Sequence, residues 1–142
     1  MENEKINRTI TLTFSDYIHL QDLLRAARAM GFQPFTLVNK LEAELNRAVV
    51  VTSHAIPRHI LTMNTCARLT DMTSGKSMDY TLVFPGEANQ LQGKLSVLSE
   101  QGIALIGFSA GSIIDWESPE GHQITRIDWI NFQPETAKQY EL

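Results

Sequence analysis

Asp16-Tyr-Ile-His-Leu-Gln-Asp-Leu-Leu-Arg-Ala-Ala-Arg-Ala-Met30, then Gly31-Phe-Gln33, then Pro34-Phe-Thr-Leu-Val-Asn-Lys-Leu-Glu-Ala-Glu-Leu-Asn-Arg-Ala48, is the stretch that decides the fold. Tyr17, Leu20, Leu24 and Ala27 follow a 3-4-3 spacing, which puts one apolar seam on a helix running from Asp16 to about Met30. Val38, Leu41, Leu45 and Ala48 repeat that spacing on a second helix, from about Pro34 to Ala48. Gly31 is suited to stop the first helix and Pro34 to open the second. Two seams of equal length joined by a few residues predict a short antiparallel hairpin of coiled-coil type. Each arm, at roughly fifteen residues, spans roughly 22 Å. The alternative is that the hairpin only packs on the rest of the core, since a pair this short gains little stability alone. Lys40 and Glu44, one turn apart, are expected to pair on its outer surface.

Upstream, Thr9-Ile-Thr-Leu-Thr-Phe14 alternates strictly, the pattern of a half-buried strand. Ser15 is placed to cap the first helix, and Asp16 lies in its first turn, where a negative charge suits the helix dipole. From Ala55 onward the texture changes. Residues 60–71 and 77–84 read as strands around the turn Ser74-Gly75, and a short strand is expected near Leu95 to Leu98. Ser99 looks like a cap for a two-turn helix over 100–106 that ends at Gly107. Residues 112–118 and 122–132 form the last strands, with Pro119-Glu120-Gly121 between them, and Pro134 begins a polar tail. A helical hairpin ahead of an antiparallel sheet that carries one short helix is an α+β arrangement, not an alternating βαβ one.

Composition bounds the function. The 142 residues are 43% hydrophobic and 20% charged, as in an ordinary globular chain. At this length most of the unfolded surface can be buried without a disulfide or metal staple. Twelve basic side chains against sixteen acidic ones give a net charge of -4, with no block of like charge. The basic field that drives binding to a phosphate backbone is missing, so direct nucleic-acid binding is not expected. Cys66 is the only cysteine, which fits a reducing compartment. No apolar signal core follows the polar start Met1 to Arg8, and no stretch approaches the ~20 apolar residues of a membrane helix. A cytoplasmic protein without membrane contact is expected, and a monomer.

Several segments carry a resemblance: Leu41-Glu-Ala-Glu-Leu-Asn-Arg-Ala48, Thr62-Met63-Asn64, Tyr80-Thr-Leu-Val-Phe-Pro85, Leu95-Ser-Val97, Gly102-Ile-Ala-Leu-Ile-Gly107, Ile114-Asp-Trp-Glu117 and Gln133-Pro-Glu135. Their order and spacing, from about residue 8 to the C-terminus, resemble the regulators of nucleoside diphosphate kinase (Rnk), relatives of the Gre transcript-cleavage factors. The resemblance implies an N-terminal unit of strand and hairpin over residues 1–52. Behind it, over 53–142, it implies an FKBP-like, Gre-type C-terminal domain. It implies docking at the secondary channel of bacterial RNA polymerase, the C-terminal domain gripping the rim and the hairpin pointing inward. The rim-contact positions carried over are Ser99, Glu100, Gln101 and Gly102. Glu100 stands where the family commonly has proline, so a rigid neutral residue has become a flexible charged one.

Gre-type cleavage needs acidic side chains at the hairpin tip to help hold a second metal ion in the polymerase site. The tip here, Arg28-Ala-Met-Gly-Phe-Gln-Pro34, holds no carboxylate, and the nearest acids, Asp22 and Glu42, sit two turns or more back. The expectation is a non-enzymatic regulator that binds polymerase without stimulating cleavage and competes with Gre-type factors. No cofactor or metal is expected. Arg25, Arg28, Met30 and Phe32 are the candidate tip contacts, since arginine, methionine and aromatic residues are enriched at interfaces; a solvated edge over a buried Phe32 is the alternative.

Three features invite other readings. Gly107-Phe-Ser-Ala-Gly111 is a literal G-x-S-x-G, but a helix precedes it and a β-rich segment follows, the reverse of a hydrolase elbow. A serine triad of Ser109, Asp115 and His122 is therefore not expected. His19, His54, His59 and His122 show no zinc-type spacing. Trp116 and Trp129, in the last two strands, are expected to pack across strands. The alternative is one aromatic wall of a cleft, which would make the chain an FKBP-type peptidyl-prolyl isomerase or a peptide-binding module. No phosphate loop of a kinase is present.

Overall fold

A computed structural model describes residues 9–139. The chain enters through strand β1 (Thr11–Thr13) and turns directly into helix α1 (Phe14–Met30). Thr13, not Ser15, is the cap: its backbone is extended and its hydroxyl accepts the Asp16 N–H at 3.0 Å. The last threonine of the strand stands three residues ahead of that amide, which is the reach a capping hydroxyl needs, so Ser15 falls inside the helix. At the far end Gly31 adopts the left-handed conformation (φ 70°), and the Phe32 N–H bonds the Ala27 carbonyl at 2.9 Å, closing the turn as expected.

Helix α2 (Phe35–Arg47) folds back along α1. The two seams meet as expected: Leu20, Leu24 and Ala27 are buried with Val38, Leu41 and Leu45, while Tyr17 and Ala48 are partly buried at their margins. Each buried leucine is worth about 1.5–3 kcal/mol relative to exposure. After Ala48 a strand that the sequence did not announce, β2 (Val49–Val51), pairs in parallel with β1, Thr11 opposite Val49 and Thr13 opposite Val51.

The main sheet contains β3 (Cys66–Asp71), β4 (Ser77–Val83), β5 (Lys94–Ser96), β6 (Ile113–Ser118) and β7 (Gly121–Phe132), in the order β5-β4-β3-β7-β6. It is mixed, which corrects the expected antiparallel sheet. The β3–β4, β3–β7 and β6–β7 ladders are antiparallel, but β5 runs parallel to β4. The connection 84–93 carries the chain back alongside the middle of β4, through two 3-10 turns, so that β5 runs the same way beside Thr81–Val83. Gly93 permits this route: its φ is +70°, and a Cβ there would lie 2.7 Å from the Asp79 carbonyl oxygen. Residues 60–65, expected as strand, form a tight turn in which Thr62 N–H bonds the Thr65 hydroxyl and Asn64 takes a positive φ. Register shifts between β3 and β7 at Cys66/Ala67 and Arg68/Leu69 curl the sheet.

Helix α3 (Glu100–Leu105) lies against β6 and β5. Its Ile103, Ala104 and Leu105 join Ala67, Leu69, Leu82, Ile114 and Ile127 of the sheet and the hairpin seams in one buried cluster. No helix among the described residues is long and apolar enough to cross a membrane.

Candidate functional site

The hairpin tip follows from the caps. Because Gly31 turns the chain sharply, Met30 and Phe35 are left on the outside, 82% and 59% exposed. Phe32 is partly buried against the core cluster, so of the four expected tip residues it is the least available. Arg28 is held by the second helix: its guanidinium is ion-paired with Glu42 and donates to Asn39 Oδ1 at 3.2 Å. Arg25 is ion-paired with Asp22 on its own helix. The tip therefore presents apolar side chains framed by neutralised ion pairs. Phe35 was missed in the sequence because it opens the second helix next to the seam residues.

At the start of α3, Ser99 caps the helix as expected, accepting the Gly102 N–H at 3.0 Å and donating to the Ser96 carbonyl at 2.7 Å. Gly102 is there for space: a Cβ would lie 2.1 Å from the Ser96 carbonyl oxygen. Gln101 reaches the Thr125 hydroxyl at 3.3 Å. Glu100 is ion-paired at 2.9 Å with Lys40, so Lys40 does not make the expected pair with Glu44, which binds Arg47 instead at 3.0 Å. The interhelical partner wins because α3 packs against α2 and brings Glu100 within reach. Glu100, Lys40 and Trp116 line a shared groove. Thus the α3 positions and the hairpin tip lie on separate surfaces, connected through α2.

A third site is buried and was not anticipated. Asp16 is only 5% exposed, and its Oδ2 accepts the Met63 N–H at 3.0 Å. Burial pushes its carboxyl up to about 7, with the Glu135 charge adding to the rise and hydrogen bonds from Met63 and Thr13 opposing it. Next to it, the Thr62 hydroxyl donates to Glu135 Oε1 at 2.8 Å and contacts the Thr65 hydroxyl at 2.7 Å. The Gln133 amide, also buried, donates to the carbonyls of Pro57 (2.9 Å) and Ile60 (2.8 Å). The 57–63 segment is thereby clasped between the base of α1 and the C-terminal tail. Thr62-Met63-Asn64 and Gln133-Pro-Glu135 stood out in the sequence only as fragments of the resemblance, without a role.

A family model described as "Transcription elongation factor, GreA/GreB, C-term" matches residues 57–131, just over half of the chain, and one described as "Rnk N-terminus" matches residues 8–51. The chain belongs to the Rnk/GreA–GreB family. Among curated relatives, the regulator of nucleoside diphosphate kinase of Escherichia coli (strain K12) is 32% identical over 108 residues, 75% of this chain and 79% of that protein. Transcription elongation factor GreA of Clostridium botulinum (strain Alaska E43 / Type E3) is 31% identical over 107 residues, 74% of this chain and 66% of its own. The solved structure of a prokaryotic transcription elongation factor GreA/GreB from Nitrosomonas europaea superposes with a TM-score of 0.71 at 31% identity, over 89% of this chain and 100% of that one. The α+β fold of this Rnk/Gre-family chain is thus GreA-like.

Of the remaining candidates, Trp116 lines the groove beside α3, and Ser109, His122 and Trp129 do not. Ser109 lies 3.4 Å from the Ser112 hydroxyl, whereas His122 bonds Glu117 at 2.9 Å and stands 3.7 Å from Asp115 on the β6–β7 hairpin. The hydrogen bond that the His122 ring donates to the Glu117 carboxylate, and the charges of Glu117 and Asp115, hold the imidazole above its usual value. Trp116 and Trp129 do not form one wall. Trp116 donates to the Thr125 hydroxyl at 2.8 Å beside α3, while Trp129 is 54% exposed and stacks near the Arg68 guanidinium, 6.0 Å from its ring centre. No group of three metal-type ligands occurs among the described residues.

Proposed function

We propose that this Rnk/Gre-family chain is a cytoplasmic regulatory protein, not an enzyme, that binds bacterial RNA polymerase at the secondary channel without stimulating transcript cleavage. Family membership supports the partner. The observation that carries the second half is the tip. Met30 and Phe35 stand exposed there, and the nearest carboxylates, Asp22 and Glu42, are each ion-paired with an arginine. Metal coordination tolerates errors of only about 0.2 Å, so paired carboxylates set back from the end are poorly placed to hold a polymerase-bound metal ion.

In this reading the N-terminal unit 1–52 acts as a finger and the unit 53–142 as a grip, residues 1–8 and 140–142 lying outside the described residues. Ser99, Glu100, Gln101 and Gly102 face the channel rim, while Arg25, Arg28, Met30 and Phe32 lie at or near the tip. Because Gly102 is buried and the Ser99 hydroxyl is engaged within the helix cap, these two shape the grip, while Glu100 and Gln101, half-buried and held by Lys40 and Thr125, must exchange those partners to bind another protein. The protein acts as a monomer that occupies the channel entrance and competes with Gre-type factors, without touching nucleic acid.

The test is a pull-down of core polymerase with a Gre factor as competitor, paired with a transcript-cleavage assay on stalled elongation complexes. Competitive binding with cleavage at the background rate is expected. Acceleration by this protein overturns the cleavage half, and absence of binding overturns the whole reading.

A further inference from the structure

We propose that the outer edge of β6, together with the groove beside it between α2 and α3, is a strand-addition site for an extended segment of a partner protein in which basic and apolar residues alternate. The site needs nothing from the polymerase reading, and its test uses no polymerase.

The edge supplies the backbone half of the site. β6 closes one side of the main sheet and pairs with β7 alone among the described strands. The Ile127 N–H bonds the Ser112 carbonyl at 2.9 Å, just before β6 begins. Along an antiparallel strand the backbone groups turn alternately toward the partner and away from it. Ile114, Trp116 and Ser118 therefore bond β7, and the N–H and C=O groups of Ile113, Asp115 and Glu117 point outward. All three residues are exposed, and no backbone group of another described element bonds them. Such a row of outward donors and acceptors is a template for a further strand.

The side chains decide which strand fits. They alternate between the two faces of β6. Asp115 and Glu117 stand on the outer face, and their ion-pair partner among the described residues is His122. On the inner face Ile114 is buried and Trp116 lines the groove, whose other walls are Ala43 of α2 and Ile103 and Ala104 of α3. The two alanines leave room there for incoming side chains. Glu44 and Glu100 at the rim are already paired with Arg47 and Lys40, so the attraction for a basic strand comes from Asp115 and Glu117. An added strand meets these acids with one set of its side chains and the apolar groove with the other. Lysine or arginine alternating with valine, isoleucine or leucine suits both faces. A second copy of this edge does not, because antiparallel pairing would bring acid against acid.

The probe is a fluorescein-labelled hexapeptide of alternating lysine and valine, titrated against the full chain by anisotropy. Binding is expected, and with it protection of the Ile113, Asp115 and Glu117 amides from hydrogen exchange, read by NMR. A peptide of the same composition with its lysines and valines in separate blocks should bind several-fold more weakly. Backbone N-methylation of the lysines and of the valines, in two further peptides, should differ sharply in effect, since only one set of N–H groups faces the edge. Asp115→Lys with Glu117→Lys should weaken binding roughly tenfold, as two cross-strand attractions become repulsions, and should favour a glutamate–valine peptide instead. Ala43→Leu, an exposed change that fills the groove, should also weaken binding. No binding, equal binding of the alternating and block peptides, or equal effects of the two methylations overturns the proposal. Protection of the three amides that rises with protein concentration and needs no peptide also overturns it, because a second copy then covers the edge. Should the charge-reversed chain not fold, the methylated peptides and the exchange of the native chain decide.

Discussion

Arg28 of the first helix is ion-paired with Glu42 of the second, binding the two arms of the hairpin just behind its tip. The pair is about half exposed on both sides, so its contribution to folding is small, roughly 0.2–1 kcal/mol. Its effect is instead to leave Met30 and Phe35 as the outermost unpaired chemistry of the finger.

If the finger enters the polymerase channel, charge reversal at Arg25 and Arg28 should weaken binding to core polymerase several-fold. Met30→Ala together with Phe35→Ala should weaken it at least as much, because buried apolar anchors carry more interface energy than screened ion pairs. Melting temperatures should change little, since all four side chains are exposed. A competition titration with fluorescent-labelled protein reads both effects, and unchanged affinity in all variants counts against tip contact.

The Lys40–Glu100 pair at 2.9 Å connects the hairpin to α3. A double-mutant cycle with Lys40→Ala and Glu100→Ala should return a coupling of about 0.2–1 kcal/mol that shrinks in high salt. Urea unfolding measures it. A coupling of zero would show that α2 and α3 are held together by apolar packing alone.

Gly102→Ala should be far more damaging than its size suggests. The new methyl would sit 2.1 Å from the Ser96 carbonyl oxygen, a backbone atom that cannot swing aside. The expected loss is about 1–3 kcal/mol or more, against about 1 kcal/mol for Ser99→Ala, which removes the cap and the hydroxyl's bond to the Ser96 carbonyl without a steric clash. Thermal melts of the two variants side by side check the order.

His122 should titrate above the ordinary histidine value, and Glu117→Gln should bring it down, because the Glu117 hydrogen bond is the main cause of the rise. The sign follows from linkage. A raised folded-state value means that the ion pair stabilises the β6–β7 hairpin fully below the unfolded pKa and loses that effect as pH rises through the folded one. The site is solvent-exposed, so NMR of the imidazole protons is the sensitive readout.

The helical seams were legible because burial on one face imposes a period that survives in the sequence, and Leu20, Leu24, Leu41 and Leu45 fall where that period puts them. Strand β2 was not, because Val49 to Val51 follow the helix without alternation and owe their pairing to β1, far upstream. The parallel β5 was hidden for a similar reason: the path of the 84–93 connection, not the strand's own residues, decides its direction. The Ser99 cap was readable since donor and acceptor lie three residues apart. Asp16 was not. In a first helical turn an aspartate reads as a solvated charge, and the backbone N–H that donates to it lies 47 residues away.

The parallel pairing of β1 and β2 also sets what the finger can do mechanically. Both arms stand on neighbouring strands of one short ladder, with Thr13 at the foot of the first and Val49 just past the second. A load applied at the far end therefore tilts the two arms as a single lever about that shared footing and does not pry them apart like scissors.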